Sequence, residues 1–296
     1  MTLLLQQAHL PARDYDLAAT LDCGQAFRWR EKSGAWEGVV GLRWVRLRQT
    51  PEGITAETCG PAGAGGWSWL EHYLQLGTPL ETILARFPDD EPMRAAVARC
   101  RGLRILRQEP WECLASFLLS STKQIVQIRQ IIATLCARFG RPVPVPEGHP
   151  AAFAFPEAAT LAQTTEAALR DCKMGFRAPH LLEAARQVAA GRLALDALSA
   201  LSLEQARARL LALPGVGPKI ADCVLLFACG FAEPFPVDVW VARALRRLYF
   251  PRRRPTPRRL RAFTQTHFGP QAGYAQQYLF HYIRLLSKGP PETIPD

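Results

Sequence analysis

LPGVGPKIADC, residues 213–223, crowds two prolines and two glycines into positions 214–218, and a lysine, Lys219, follows at once. The stretch is flanked by helical patterns. Before it, residues 202–212 read as a helix whose Ser202 and Gln205 have the spacing of a capping box. After it, a second helix starts at Pro218, because proline lacks the N–H that a first turn leaves unpaired. Ile220, Cys223, Val224 and Phe227 continue that helix, and Gly230 ends it. The reading is helix, tight hairpin, helix over 202–230. Glycines let a backbone approach a ligand closely. The free amides at the second helix start then favour an anion, so Gly215, Val216 and Gly217 are candidates to hold a phosphate. A bare Pro-Gly turn would equally suit a generic connection between two helices.

The charge distribution separates these readings. The formal net charge is +10. Residues 239–291 carry ten Arg, one Lys and no acid, so the rest of the chain sums to −1. Nine of those arginines fall between Arg243 and Arg261. So one-sided a block repels itself unless a polyanion is near, and nucleic acid is the leading partner. Arg246 and Arg247 are the phosphate candidates at its centre. A solvated basic face and an acidic membrane surface are the competing readings.

The chain has 296 residues, is 48% hydrophobic and 21% charged, and can bury a real core. It has no run of about 18 apolar residues, so no transmembrane helix is expected. The start lacks a basic region and a cleavage site, which suggests an intracellular protein. Eight cysteines occur without a Cys-x-x-Cys or a zinc-like His spacing. They read as buried thiols, and neither zinc nor an iron–sulfur cluster is expected.

Residues 1–96 read as an antiparallel sheet domain with short helices. GQAFRWRE (24–31) and GVVGLRWVRLRQT (38–50) alternate, with a hairpin turn at Glu31–Gly34. In the second run Trp44, Arg46 and Arg48 would share one face and Val45 and Leu47 the other. Short helices are expected near 67–75 and 79–87. From 97 to 296 the pattern is helical, with an apolar stripe of Ile125, Ile128, Ile132, Leu135 and Phe139, and further helices at 156–171 and 178–190. The fold class expected is α+β, a sheet domain packed on a mostly helical one.

Two side chains stand out for chemistry. Lys219 sits in the first turn of the hairpin's second helix, where a cation is mildly disfavoured by the dipole. A surface lysine usually does nothing chemical, but an amine placed there can act as a nucleophile. Asp238, in PFPVDVWVARAL, is well placed to cap a helix. The cap alone accounts for it, yet a capping carboxylate can also face a cleft.

Six separate stretches then carry a resemblance: CGQAFRW at 23–29, LRILRQEPWECLASFLLSS at 103–121, GFRA at 175–178, LPGVGPKIADC at 213–223, FPVDV at 235–239 and GYAQQYLF at 273–280. Together they resemble the 8-oxoguanine DNA glycosylases of the helix-hairpin-helix superfamily, over most of the chain from about 15 to 288. The resemblance implies a bifunctional base-excision enzyme acting on double-stranded DNA that contains oxidised guanine. Lys219 would displace the flipped-out base through a Schiff base and β-elimination would nick the strand, while Asp238 would stabilise the charged sugar. Gly24 would offer its carbonyl to the ring hydrogen that distinguishes 8-oxoguanine, Cys223 and Phe280 would sandwich the base, and Gln276 would bond its Watson–Crick edge. The carbonyls of Leu211, Leu213 and Val216 would hold a structural cation; no other cofactor is implied. The expected state is a monomer off the membrane.

Some positions depart from the family pattern. Thr122, Lys123 and Gln124 stand where many relatives have asparagines that fill the vacated stack. Gln127 replaces an arginine that reads the opposite cytosine, Trp240 a histidine near a phosphate, and Phe176 a tyrosine, whereas Arg177 is retained. Two rivals remain at this point: a glycosylase of the same fold for another damaged base, and a non-enzymatic helix-hairpin-helix DNA-binding module.

Overall fold

The computed structural model describes residues 4–60, 65–120, 124–252 and 255–288. Strands β1 (Leu5–Pro11), β2 (Arg30–Lys32), β3 (Ala35–Val40), β4 (Arg43–Thr50) and β5 (Gly53–Cys59) form an antiparallel sheet in the order β1-β5-β4-β3-β2. Helix α1 (Leu17–Asp22) links β1 to the segment before β2. Ser33 and Gly34 turn the β2–β3 hairpin, both with positive φ, as a two-residue loop matched to strand twist requires.

One sequence expectation changes here. The expected strand over 24–31 is reduced to Arg30–Lys32. Its neighbour Trp29 turns inward instead, lying on Gly38, where a Cβ would come within 2.7 Å of the ring, and donating its Nε1–H to Tyr73 Oη at 2.8 Å. On β4 the two faces alternate as expected, and Val45 and Leu47 are fully buried with Leu10, Ile54 and Ala56. Trp44, on the opposite face, is buried too, because a small hairpin of β6 (Pro142–Val143) and β7 (Ala152–Phe153) brings Val143 and Ala154 over it. Arg46 stays half-exposed and bridges its cross-strand neighbours Glu37 (3.1 Å) and Glu57 (3.0 Å).

Helices follow: α2 (Ser68–Leu74), α3 (Leu80–Leu84), α4 (Glu91–Cys100), α5 (Pro110–Ser120) and α6 (Ile125–Phe139), then α7 (Ala158–Ala162), α8 (Glu166–Arg170) and α9 (Ala178–Ala189). The single helix expected over 156–171 is broken into α7 and α8, with Thr165 capping the second through Ala168 N–H. Position 96 lies inside α4, and the larger core takes residues from both sides of it, from Ala19, Cys23 and Phe27 to Ile283. Helix α5 is mostly apolar, with its Glu112 paired to Arg28 at 3.1 Å, and is buried at Trp111 and from Cys113 to Leu119, as suits the central helix of a bundle. Its C-terminal end carries Ser120 out of this core.

The hairpin forms as read. Helix α10 (Leu203–Leu211) starts on the Ser202–Gln205 capping box, and α11 (Pro218–Val224) starts on Pro218. Helix α11 continues as a π-helical turn over Leu225–Cys229 to Gly230, φ +88°. The Arg107 guanidinium packs there, and any Cβ on residue 230 would meet its Nη1 at 2.5 Å. Helices α12 (Val239–Tyr249), α13 (Pro257–His267) and α14 (Ala272–Lys288) complete the chain. All eight cysteines are free thiols, and among the described residues no helix is long and apolar enough to cross a membrane.

Candidate active site

Four chain segments distant in sequence meet at one cleft of about 900 Å³. Helix α11 supplies Lys219 and Cys223, one turn apart and so on one face. The start of α12 supplies Asp238, and α14 supplies Gln276 and Phe280. Gly24, just beyond α1, comes from the sheet side. At the cleft floor these six residues, with Phe117, Phe227, Pro236 and Gln277, line a space of only about 40 Å³, room for about three water molecules.

Lys219 is half-buried. Its Nζ donates to Ser120 Oγ at 3.2 Å and lies 4.7 Å from the centre of the Phe117 ring. Asp238 caps α12: its Oδ1 accepts from Trp240 N–H (2.9 Å) and Val241 N–H (2.8 Å). The second oxygen takes no hydrogen bond among the described residues, and the side chain lines both the cleft and its floor. Capping and facing the cleft are thus compatible.

Gln276 is 3% exposed, and its buried Oε1 has no hydrogen-bond partner. An orphaned buried acceptor is costly, and this side chain lines the pocket floor, where a donor on a bound ligand would satisfy it. Cys223 is buried, and desolvation pushes its thiol up to about 12 against the pull of the Lys219 charge, so it faces the pocket as a neutral S–H. Gly24 has φ +81°, a left-handed conformation suited to glycine, and a Cβ there would stand 3.2 Å from Phe280 Cε1 and 3.3 Å from Ile125 Cδ1. The Phe280 ring therefore rests on Gly24.

The hairpin forms one rim of the cleft. Gly215 (φ +81°) packs on His180, whose Nδ1 a Cβ would meet at 2.5 Å, and Gly217 precedes α11 with open space around it. Val216 is buried, and its N–H donates to the Leu213 carbonyl at 3.1 Å. The Leu211 and Val216 carbonyls take no hydrogen bond among the described residues, so three carbonyl oxygens retain capacity for a hard cation. No group of three or more His, Cys, Asp or Glu that could hold a metal exists among the described residues.

The basic surface flanks Asp238. Val239, 79% exposed, shares a face of α12 with Arg243, Arg246 and Arg247, all exposed. Trp240 lines the cleft under the Arg243 guanidinium, 4.6 Å away. Among the described residues none of Arg243, Arg246, Arg247, Arg252, Arg258, Arg259 and Arg261 forms a salt bridge, which leaves their charge for an external anion.

Other singled-out residues are placed differently. Arg177 is buried (2% exposed) against Phe176 at 4.4 Å, so the exposed Phe176 ring presents the surface there. Gln127 is exposed in the first turn of α6, and its Oε1 accepts from Gln124 N–H at 3.2 Å. Thr122 and Lys123 lie outside the described residues. The sequence reading missed Phe117, Ser120, Gln277 and Arg284. Arg284 carried a signal, since it follows Gln276 and Phe280 at successive intervals of four on α14 and stands 5.4 Å from the Phe280 ring. Ser120 carried none, because only the packing of α5 beside α11 brings it to Lys219.

Residues 8–114 match the family "8-oxoguanine DNA glycosylase, N-terminal domain", and residues 115–270 match "HhH-GPD superfamily base excision DNA repair protein". The N-glycosylase/DNA lyase of Saccharomyces cerevisiae is 33% identical over 256 residues, covering 79% of this chain and 68% of that protein. The structure of MBOgg1 with a low-affinity DNA ligand superposes with a TM-score of 0.88 at 32% identity, over 97% of this chain and 100% of that one. The 8-oxoguanine glycosylase/lyase of Clostridium acetobutylicum, bound to double-stranded DNA with cytosine opposite 8-oxoG, superposes with a TM-score of 0.86 at 28% identity, again over 97% and 100%. Its hairpin, its five-stranded N-terminal sheet and these matches place the chain in the HhH-GPD superfamily of base excision DNA repair proteins, with the N-terminal domain of the 8-oxoguanine DNA glycosylases.

Proposed function

We propose that this protein removes 8-oxoguanine from double-stranded DNA and then nicks the strand, with Lys219 as the nucleophile. The observation that carries the reading is convergence: an amine, a carboxylate, an orphaned amide oxygen and a glycine backbone meet around one pocket floor.

The hairpin and the α12 arginines bind the phosphates on either side of the lesion, and the damaged nucleotide rotates into the cleft. The 40 Å³ floor admits the base only when the Phe280 ring leaves Gly24, after which Phe280 and Cys223 flank the base. The Gly24 carbonyl accepts the N7–H of 8-oxoguanine, where guanine would present a lone pair. Gln276 Oε1 gains the donor it lacks from the base's Watson–Crick edge.

The Lys219 nitrogen lone pair attacks the sugar C1′, and the C1′–N9 bond breaks with its electron pair leaving on the base, which takes up a proton. The Asp238 oxygen not engaged in the cap stabilises the positive charge on the sugar. Opening of the sugar ring gives an iminium between Lys219 and C1′. Loss of a C2′ proton then expels the 3′ phosphate, and water releases the lysine. Ser120 Oγ orients the amine by accepting one of its hydrogens. A cation held by the Leu211, Leu213 and Val216 carbonyls would add positive charge where a phosphate meets the hairpin.

Incubation with a duplex bearing one 8-oxoguanine, with borohydride, tests the reading. The iminium should be reduced to a stable protein–DNA adduct, and Lys219→Gln should bind DNA yet give neither adduct nor free base. An undiminished adduct in Lys219→Gln would overturn the assignment.

A further inference from the structure

The residue that would tell 8-oxoguanine from guanine is a glycine, the residue type least able to hold its own peptide planes fixed. The two bases differ at N7: the oxidised base presents an N–H and guanine an unprotonated nitrogen. A carbonyl therefore favours the lesion and an amide N–H favours the undamaged base. The Gly24–Gln25 peptide carries one of each. A flip of that single plane, with Gly24 free to absorb the torsion change, would reverse the preference of the pocket.

The structure braces the peptide on both sides with buried glutamines. Gln277 Nε2 donates to the Cys23 carbonyl at 3.0 Å, and Gln108 Nε2 donates to the Gln25 carbonyl at 2.7 Å. The Gln25 side chain is tied down in turn: Nε2 donates to the Thr20 and Arg104 carbonyls, each at 2.8 Å, and Oε1 accepts from Leu106 N–H at 2.9 Å. Gln25, Gln108 and Gln277 are 0%, 8% and 2% exposed, so water does not replace these bonds without the loop opening. Of the three successive carbonyls at 23, 24 and 25, the outer two are engaged, and the Gly24 carbonyl alone takes no hydrogen bond among the described residues. Gln277 also neighbours Gln276 on α14, so one helix turn carries both an amide aimed at the base and an amide that fixes the backbone beside it.

Building on the functional reading above, we propose that Gln277 and Gln108 are positioning residues that lock the peptides flanking Gly24 and thereby set discrimination between 8-oxoguanine and guanine. Gln277 lines the pocket floor but spends its amide N–H on the Cys23 carbonyl, and Gln108 lies outside the pocket lining. They keep the unflipped plane the lower in energy and so present the pocket with an acceptor.

The test uses Gln277→Met, which keeps length and removes the donor, and Gln108→Met as an independent second variant. Three quantities are read under single turnover for each: release of 8-oxoguanine, release of guanine from an otherwise identical duplex, and nicking of a duplex with a preformed abasic site. The last needs Lys219 but no base recognition. Release of 8-oxoguanine should fall about tenfold, as for one lost buried hydrogen bond, with a matching fall in its ratio to guanine release, while abasic nicking stays within about twofold. A parallel fall in all three rates in both variants would show a purely structural role and overturn the proposal, as would unchanged discrimination in both. A wild-type protein that released no 8-oxoguanine would overturn the functional reading together with this one, whereas a positive wild type with indifferent variants would overturn this one alone.

Discussion

Asp238→Asn separates the two jobs of one side chain. Oδ1 accepts two N–H groups of α12, and the other oxygen carries no bond among the described residues. Asparagine keeps a carbonyl oxygen for both N–H groups and ranks with aspartate as a cap, so melting should move by less than about 1 °C. It replaces the free oxygen with an amide, which cannot stabilise a positive sugar. Loss of one preorganised electrostatic group costs about 2.7–4 kcal/mol in comparable sites, a fall of about 100- to 1,000-fold in the excision rate. Asp238→Ala loses the charge and leaves both N–H groups unpaired. The cap is worth about 1 kcal/mol, about 2–4 °C in a chain of this size. The assay is single-turnover release of 8-oxoguanine beside a thermal melt of each variant. Wild-type release in Asp238→Asn would refute the electrostatic role and leave only the cap. A large melting shift in Asp238→Asn would instead mean that the carboxylate charge supports the fold.

Three further outcomes follow from the site. Replacing Arg246 and Arg247 by Ala should lower the slope of log affinity against log salt by about 1.8, about 0.9 per lost phosphate contact, and an unchanged slope would place the DNA elsewhere. Gly24→Ala puts a methyl against Phe280 and Ile125 at a φ of +81°, so 8-oxoguanine release should fall at least about tenfold while abasic nicking persists; equal losses in both would show that the loop supports the fold rather than the base. Gln127→Arg should sharpen preference for cytosine opposite the lesion without altering borohydride trapping, since a rigid fork of donors suits cytosine's acceptors, and each bidentate contact is worth about 1–3 kcal/mol of discrimination. Equal release opposite all four bases in that variant would show that another residue reads the partner strand.

The features legible in the sequence were those that a few consecutive residues decide. Prolines, glycines and capping side chains act within one turn, so the hairpin, the Ser202 capping box, the Asp238 cap and the stop at Gly230 all stand where the residues predict them. Alternation on β4 likewise fixed which residues share a face. It could not fix what covers each face, and Trp44 is buried because a hairpin about 100 residues later packs over it. Arg177 shows the same limit from the other side. It was singled out only as a residue retained in the family pattern, and the packing around it decides that Phe176 is exposed and the guanidinium is not. The grouping of Gly24, Lys219, Asp238 and Gln276 came into the sequence reading only through resemblance, since no local rule links positions 24 and 276. Ser120 beside Lys219, and Gln277 and Gln108 around the Gly24 peptide, came from the tertiary structure alone, because a buried polar group takes its partner from whatever chain the core folds against it.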